Sequence, residues 1–173
     1  MIGWLYEVTL AFLYEYGFVN RGFLCGPYLP LYGSGALLLI LLLQPLMSVR
    51  TPGRKPAAPP VVFLAVVLIT TTLEYAVGLF LETVFYQRFW DYSTYNWQFQ
   101  GRICASASIR FGLGGMLFLY VLVPLFTKLI RKIPVGFRFF LSLAVIAILA
   151  ADLILTLYLS SHYGFDPVLA QPR

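Results

Sequence analysis

Charge is what this chain has least of. Of its 173 residues only 11% are charged and 60% are hydrophobic, and the mean hydropathy is +0.83. A soluble domain carries about a quarter of its residues as charges, so the composition excludes one and leaves an integral membrane protein. Histidine occurs once, as His162, which excludes a histidine-rich zinc or iron site. The two cysteines, Cys25 and Cys104, are too few for a disulfide scaffold; they can form one bond with each other or stay as small unpaired thiols. There is no GxxxxGK[ST] phosphate loop, so nothing in this chain hydrolyses ATP. No basic residue precedes the first apolar run and no small-residue cleavage pattern follows it, so that run reads as a first membrane helix and not as a removed signal.

What is present is a series of apolar runs. They cover residues 2 to about 17, 36 to about 49 with a start near Leu31, 61 to 85, 103 to 126 and 137 to 159. The expected fold is all-α, a polytopic bundle of five transmembrane helices of about 20 residues each. It forms a single domain over residues 1–160, with a polar tail over 161–173. The net charge of +5 is concentrated in two clusters, Arg50, Arg54 and Lys55, then Lys128, Arg131, Lys132 and Arg138, both in short connections. Such loops stay cytoplasmic, so the clusters are read as topology signals and no nucleic-acid partner is expected. With five spans, both clusters inside put the N-terminus in and the C-terminus out. The Pro-rich linker at residues 51–60 ends in prolines suited to starting the third helix.

The arginines on the opposite side, Arg21, Arg88 and Arg102, go against that bias, so topology does not explain them. A charge at membrane depth costs on the order of 2.5 to 3.5 kcal/mol on the most lenient scale, so intramembrane ions are expected to be paired and functional. Glu74, Gly78 and Glu82 stand at i, i+4, i+8 on the third helix, which puts both carboxylates on one side with a gap between them. Arg102, Ser106 and Arg110 repeat the spacing, so an acidic stripe is expected to face a basic one. Arg110 and Asp152, each about 10 to 12 Å deep by helical rise, are candidates for an ion pair. Glu74 lies near mid-membrane and is suited to carrying a proton. The stretch from Asn20 to Gly35 is broken by glycines and prolines, and irregular backbone near membrane depth belongs beside a wet cavity.

Trp90, Tyr92, Tyr95 and Trp97 read either as an interfacial aromatic belt or as walls of that cavity, with Asn96 placed to orient a polar ligand group. His162 reads as interfacial. Carboxylate-bound Mg²⁺ or Ca²⁺ at Glu74, Glu82 or Asp91 is a weak alternative, and no cofactor is expected.

Three stretches, NRGFLCGPYLPLYGSGA from Asn20, LEYAVGLFLE from Leu73 and RFWDYSTYNWQFQGRI from Arg88, resemble the ABC-transporter type IV (CmpB-like) family of integral membrane proteins. The resemblance covers the first four spans. Its matching positions are Glu7, Arg21, Gly26, Pro27, Tyr32, Gly33, Glu74, Glu82, Trp90, Asp91, Tyr92, Asn96, Gly101 and Arg102, and it implies a multi-pass membrane fold. At position 110 the family pattern has an aromatic where this chain has Arg. If the chain serves a pump, the ATPase is a separate subunit. Five spans are few for a translocation path and favour a homodimer or hetero-oligomer.

The expected function is therefore a transporter or ligand-binding membrane subunit in a cell membrane, a bacterial plasma membrane. Its extracytoplasmic pocket is drawn from Glu7, Arg21, Tyr32, Glu74, Glu82, Trp90, Asp91, Asn96 and Arg102. The ligand is a small anionic or zwitterionic solute or a lipid headgroup, in contact with membrane lipids. The alternative is an integral membrane enzyme acting on a lipid or lipid-linked substrate, with a carboxylate general base and an arginine anion site.

Overall fold

The computed structural model describes residues 2–15, 24–47, 56–86 and 88–163. In chain order they form α1 (Ile2–Glu15), α2 (Pro30–Met47), α3 (Pro59–Phe85), a short hairpin of β1 (Gln98–Phe99) and β2 (Ile103–Cys104), α4 (Ala105–Leu117), a π-helical turn (Phe118–Leu122), α5 (Val123–Arg131) and α6 (Val135–Tyr163). Four helical stretches are long and apolar enough to cross a bilayer: Pro30–Met47, Pro59–Phe85, Ala105–Arg131 and Val135–Leu159. Helix α1 has 14 residues. The chain is a multi-pass membrane protein. Residues such as Phe139, Phe140, Ile146 and Ile154 on α6 are more than half exposed. In water that surface costs about 25 cal/mol per Å²; against lipid tails it costs nothing.

The chain divides into two compact units, residues 33–132 and residues 1–32 with 133–173. The first is built on α3. Pro59 and Pro60 open this helix, where a missing N–H does no harm. It ends at Tyr86, whose φ of 56° takes the chain out of the helix in the left-handed region. Leu39 and Leu43 of α2, Val62 and Val66 of α3 and Leu119 form the buried core. The Ala57 N–H donates to the Leu46 carbonyl at 3.0 Å and brings the ends of α2 and α3 together. Helices α3 and α4 approach closely because α4 offers glycines. A Cβ at Gly115 would lie 2.4 Å from Val66 Cγ1, and one at Gly112 would lie 2.6 Å from Val67 Cγ2. Small residues are what lets membrane helices touch in this way.

The π-helical turn has a local cause. Pro124 has no N–H and its ring crowds the carbonyl four residues earlier; the ladder widens just before it, with Val123 N–H reaching back to Phe118 O.

In the other unit, the Tyr32 ring packs on Gly3, where a Cβ would lie 2.4 Å away, and its hydroxyl donates to Glu7 Oε1 at 2.5 Å. The segment Leu24–Gly26 is tied to α6: Cys25 N–H donates to Thr156 Oγ1 at 3.2 Å and Gly26 N–H to Asp152 Oδ2 at 3.1 Å.

Two sequence expectations need correction. Helix α2 begins at Pro30, as the start near Leu31 anticipated, so the irregular stretch read as running to Gly35 ends before it and Gly33 and Gly35 are helical. Helix α4 begins at Ala105, so Arg102 lies in the hairpin turn and shares no helical face with Ser106 and Arg110.

Candidate functional site

Glu74, Gly78 and Glu82 rise along one side of α3 as the spacing requires, and the segment from Arg88 to Cys104 folds over them as a cap. Each of the three has a different neighbour. Glu74 is 3% exposed, and its Oε1 accepts the Tyr92 hydroxyl at 2.9 Å. At Gly78 the expected gap is filled: a Cβ there would sit 3.2 Å from Trp90 Cζ2. The indole N–H of Trp90 donates to the Arg102 carbonyl at 2.9 Å, which fixes the ring in place. Glu82 is shared by two arginines. Arg102 takes Oε2 through Nε at 2.9 Å and Nη2 at 2.6 Å, and Arg88 takes Oε1 through Nε and Nη2, each at 3.1 Å.

The hairpin turn places Arg102. Gln100 and Gly101 both have positive φ, 53° and 67°, and Arg102 N–H closes the turn onto Phe99 O at 3.1 Å. Gly101 N–H donates to Gln98 Oε1 at 2.7 Å, and Gly101 O accepts Tyr92 N–H at 2.8 Å. A side chain at Gly101 would also meet Asp91 Oδ1, 2.7 Å from the Cβ position. Gln100 Oε1 accepts from both Arg102 Nη1 and the Tyr75 hydroxyl, the latter at 3.0 Å. The Arg102 guanidinium lies 5.7 Å from the Tyr75 ring centroid, within cation–π range.

Asp91 Oδ1 accepts Ser93 N–H at 2.9 Å and lies 3.6 Å from Arg88 Nη1. The Ser93 amide, then the Ser93 hydroxyl, then the Arg88 charge hold its carboxyl below the usual range. Two guanidiniums and two carboxylates make the cluster formally neutral. The Arg88 side chain is 44% exposed and that of Arg102 15%, so Arg88 is the one screened by solvent. The cleft bounded by Gly78, Glu82, Arg88, Trp90 and Arg102 measures about 10 Å³, room for no more than one water.

The family model described as "Putative ABC-transporter type IV" matches residues 1–157. The chain belongs to that family. Searches of curated proteins and of solved structures return no match. In this CmpB-like chain most of the positions that carry the resemblance fall into two groups. Glu74, Glu82, Trp90, Asp91, Tyr92, Gly101 and Arg102 belong to the α3 cap. Glu7 and Tyr32 pair with each other in the second unit. Arg21 lies outside the described residues, and Asn96 is exposed.

Arg110 does not join the cap; it is exposed, with Nε 3.3 Å from Ser106 O. Asp152 accepts the Gly26 amide. Both cysteines of this CmpB-like protein are free thiols, Cys25 against the Thr156 hydroxyl and Cys104 against Ser106. The His162 ring packs against Tyr158 at a tilt of 58°, with centroids 4.6 Å apart. The carboxylates weighed as Mg²⁺ or Ca²⁺ ligands each have other partners: Glu82 the arginines, Asp91 the Ser93 amide, Glu74 the Tyr92 hydroxyl.

Sequence reasoning missed Gln100 as the hub between Tyr75 and Arg102, and it left Tyr92 open between an interfacial belt and a wall of the cavity. The Gln-Gly pair before Arg102 was the available signal for the turn.

Proposed function

We propose that this chain is the membrane subunit of a transport or ligand-binding assembly. Its polar cap offers Arg88 and Arg102 to the acidic part of a small anionic or zwitterionic solute or a lipid headgroup. The observation that supports this is the convergence of two guanidiniums on the two oxygens of one carboxylate, Glu82, at the end of a membrane helix. Glu82 occupies the position that a ligand carboxylate or phosphate would take, and a guanidinium binds either. Binding then requires Glu82 to yield, because the cleft has no spare volume. The rest of the reading is five spans with the N-terminus inside, the cap outside in a bacterial plasma membrane, Arg21 and Asn96 beside it, a separate ATPase subunit and a homodimer.

Glu74 is the proposed coupling group. It is buried on α3 and bonded to the cap through the Tyr92 hydroxyl, which links its state to that of the cap. The lipid-processing enzyme is the weaker reading, since Asp91, its most accessible base, is already stabilised as the anion by Ser93 and Arg88.

The test is a titration of the purified chain in nanodiscs with inorganic phosphate and with glycerophosphoethanolamine, followed by tryptophan emission. The expected result is saturable binding that is lost in Arg102→Ala, with Glu74→Gln removing its pH dependence. No response to either probe in a folded protein sinks the reading. A C-terminal reporter active only outside the cytoplasm checks the span count.

A further inference from the structure

At the end of α3 away from the cap, the span Ala105–Arg131 outlasts its neighbours. Its last buried residue is Leu119, which packs with Val62 and Val66. From Leu119 the helix rises about 18 Å to Arg131, whereas α3 has only about 5 to 10 Å left from those valines back to Pro59. About 10 Å of α5 therefore stands past the start of α3, and no residue of α5 is buried. This projecting end is two-sided. At about 100° per residue, Leu125, Phe126, Leu129 and Ile130 fall on one side, each 41–49% exposed. Thr127, Lys128 and Arg131 fall on the other, with Lys132 at the helix cap, and all four are exposed.

The basic side carries a charge that its own unit does not balance. Arg131 and Lys132 stand three and four positions after Lys128, so the three cations are neighbours and repel one another. The carbonyls at the helix end offset only about half a charge. Residues 33–132 contain three acids, Glu74, Glu82 and Asp91. The one nearest in sequence to the start of α3, Glu74, lies about 22 Å along that helix from Pro59, and the other two belong to the cap. The Lys128 and Lys132 ammoniums have no partner among the described residues.

We propose that this edge of α5 holds the phosphate of an anionic phospholipid in the adjoining leaflet. The apolar side of the same turns selects a lipid over a free phosphate. Its four exposed side chains are costly in water and cost nothing against acyl chains, and the anions next to acyl chains are headgroups. The cations select a headgroup of net negative charge, because a zwitterionic one brings its own ammonium to a place that already holds three positive charges. Membrane orientation depends only on how many cations lie on this side. Lipid binding depends on three of them sharing one edge of an exposed amphipathic helix.

The experiment is native mass spectrometry of the full chain released from phosphatidylcholine nanodiscs that contain equal minor shares of phosphatidylethanolamine and phosphatidylglycerol. The expected result is phosphatidylglycerol retained in excess of phosphatidylethanolamine. Retention falls about fivefold for each cation removed, in Lys128→Gln and then in Lys128→Gln with Lys132→Gln. Lys128→Arg with Lys132→Arg keeps it, and so does Arg110→Gln, which removes one charge from the same span. Equal retention of the two lipids in wild type overturns the inference, whether or not the variants fold. An equal loss in Arg110→Gln also overturns it, because net charge is then the cause. Soluble glycerophosphoglycerol, titrated onto discs of phosphatidylcholine alone, identifies the source. Binding as tight as that of the lipid, and lost in the lysine-to-glutamine variants, assigns the edge to a free phosphate, and the inference falls. If retention survives in those variants and is lost in Arg102→Ala, the lipid sits at the cap; this inference then falls and the proposed function stands.

Discussion

The indole of Trp90 lies on Gly78, 3.2 Å from where a Cβ would be, and this contact seats the polar cap on the membrane helix. The ring is held from above by its N–H bond to the Arg102 carbonyl, so the cap closes over position 78 with room for a methyl group at most. Gly78→Ala requires a shift of a few tenths of an ångström and gains helix propensity of about 1 kcal/mol; it is expected to be nearly neutral. Gly78→Leu cannot be accommodated so cheaply and is expected to cost about 1 to 3 kcal/mol. Thermal unfolding of the two variants, with tryptophan emission shifting to the red only in the leucine variant, checks this.

The two arginines on Glu82 should not be equivalent. Arg102 is 15% exposed and holds Glu82, Gln100 and the Tyr75 face together, whereas Arg88 is 44% exposed. Arg102→Ala is expected to lower the unfolding temperature more than Arg88→Ala does. Added salt should narrow the difference between Arg88→Ala and wild type, because an exposed pair is screened. An equal loss in both variants would contradict the geometry.

Asp91 makes the cap acid-sensitive. Its folded-state pKa is depressed below the ordinary value of 3.8 by the Ser93 amide, the Ser93 hydroxyl and Arg88. A depressed carboxyl contributes stability that is fully present above its unfolded value and is lost as pH falls through the folded one. Protection of the Ser93 amide from hydrogen exchange is therefore expected to hold at neutral pH and to fade below about pH 4. Asp91→Asn should lower protection at neutral pH and flatten the profile.

Gly101 combines a φ of 67° with a Cβ position 2.7 Å from Asp91 Oδ1. Gly101→Ala is expected to cost about 1 to 3 kcal/mol from backbone strain alone, with the collision at Asp91 added. Limited proteolysis should then cut the chain between Tyr92 and Cys104 faster than in wild type.

The apolar helices were legible because composition and run length decide them. Four spans appear where the hydropathy places them, and the row Glu74, Gly78, Glu82 is what its spacing demands. Arg102 was misread for a physical reason. A period of four also arises by chance across a turn, and Arg102, Ser106 and Arg110 share it although only the last two are helical. Gly101, which can take the positive φ, and the polar run before it carried the true signal. The Tyr92–Glu74 and Gln100–Tyr75 bonds join residues 18 and 25 positions apart. A pairing at that range follows from tertiary folding, which local pattern does not encode.

The wide turn at Phe118–Leu122 sets the phase of everything after it. The side of the helix that packs on α3, through Ala107, Ser108, Gly112 and Gly115, reaches Leu119 and stops; no residue of α5 is buried. One surplus residue turns the following segment by about 100°, one step of an α-helix. Removing a single amino acid there would swing Lys128 and Arg131 round the axis without touching either.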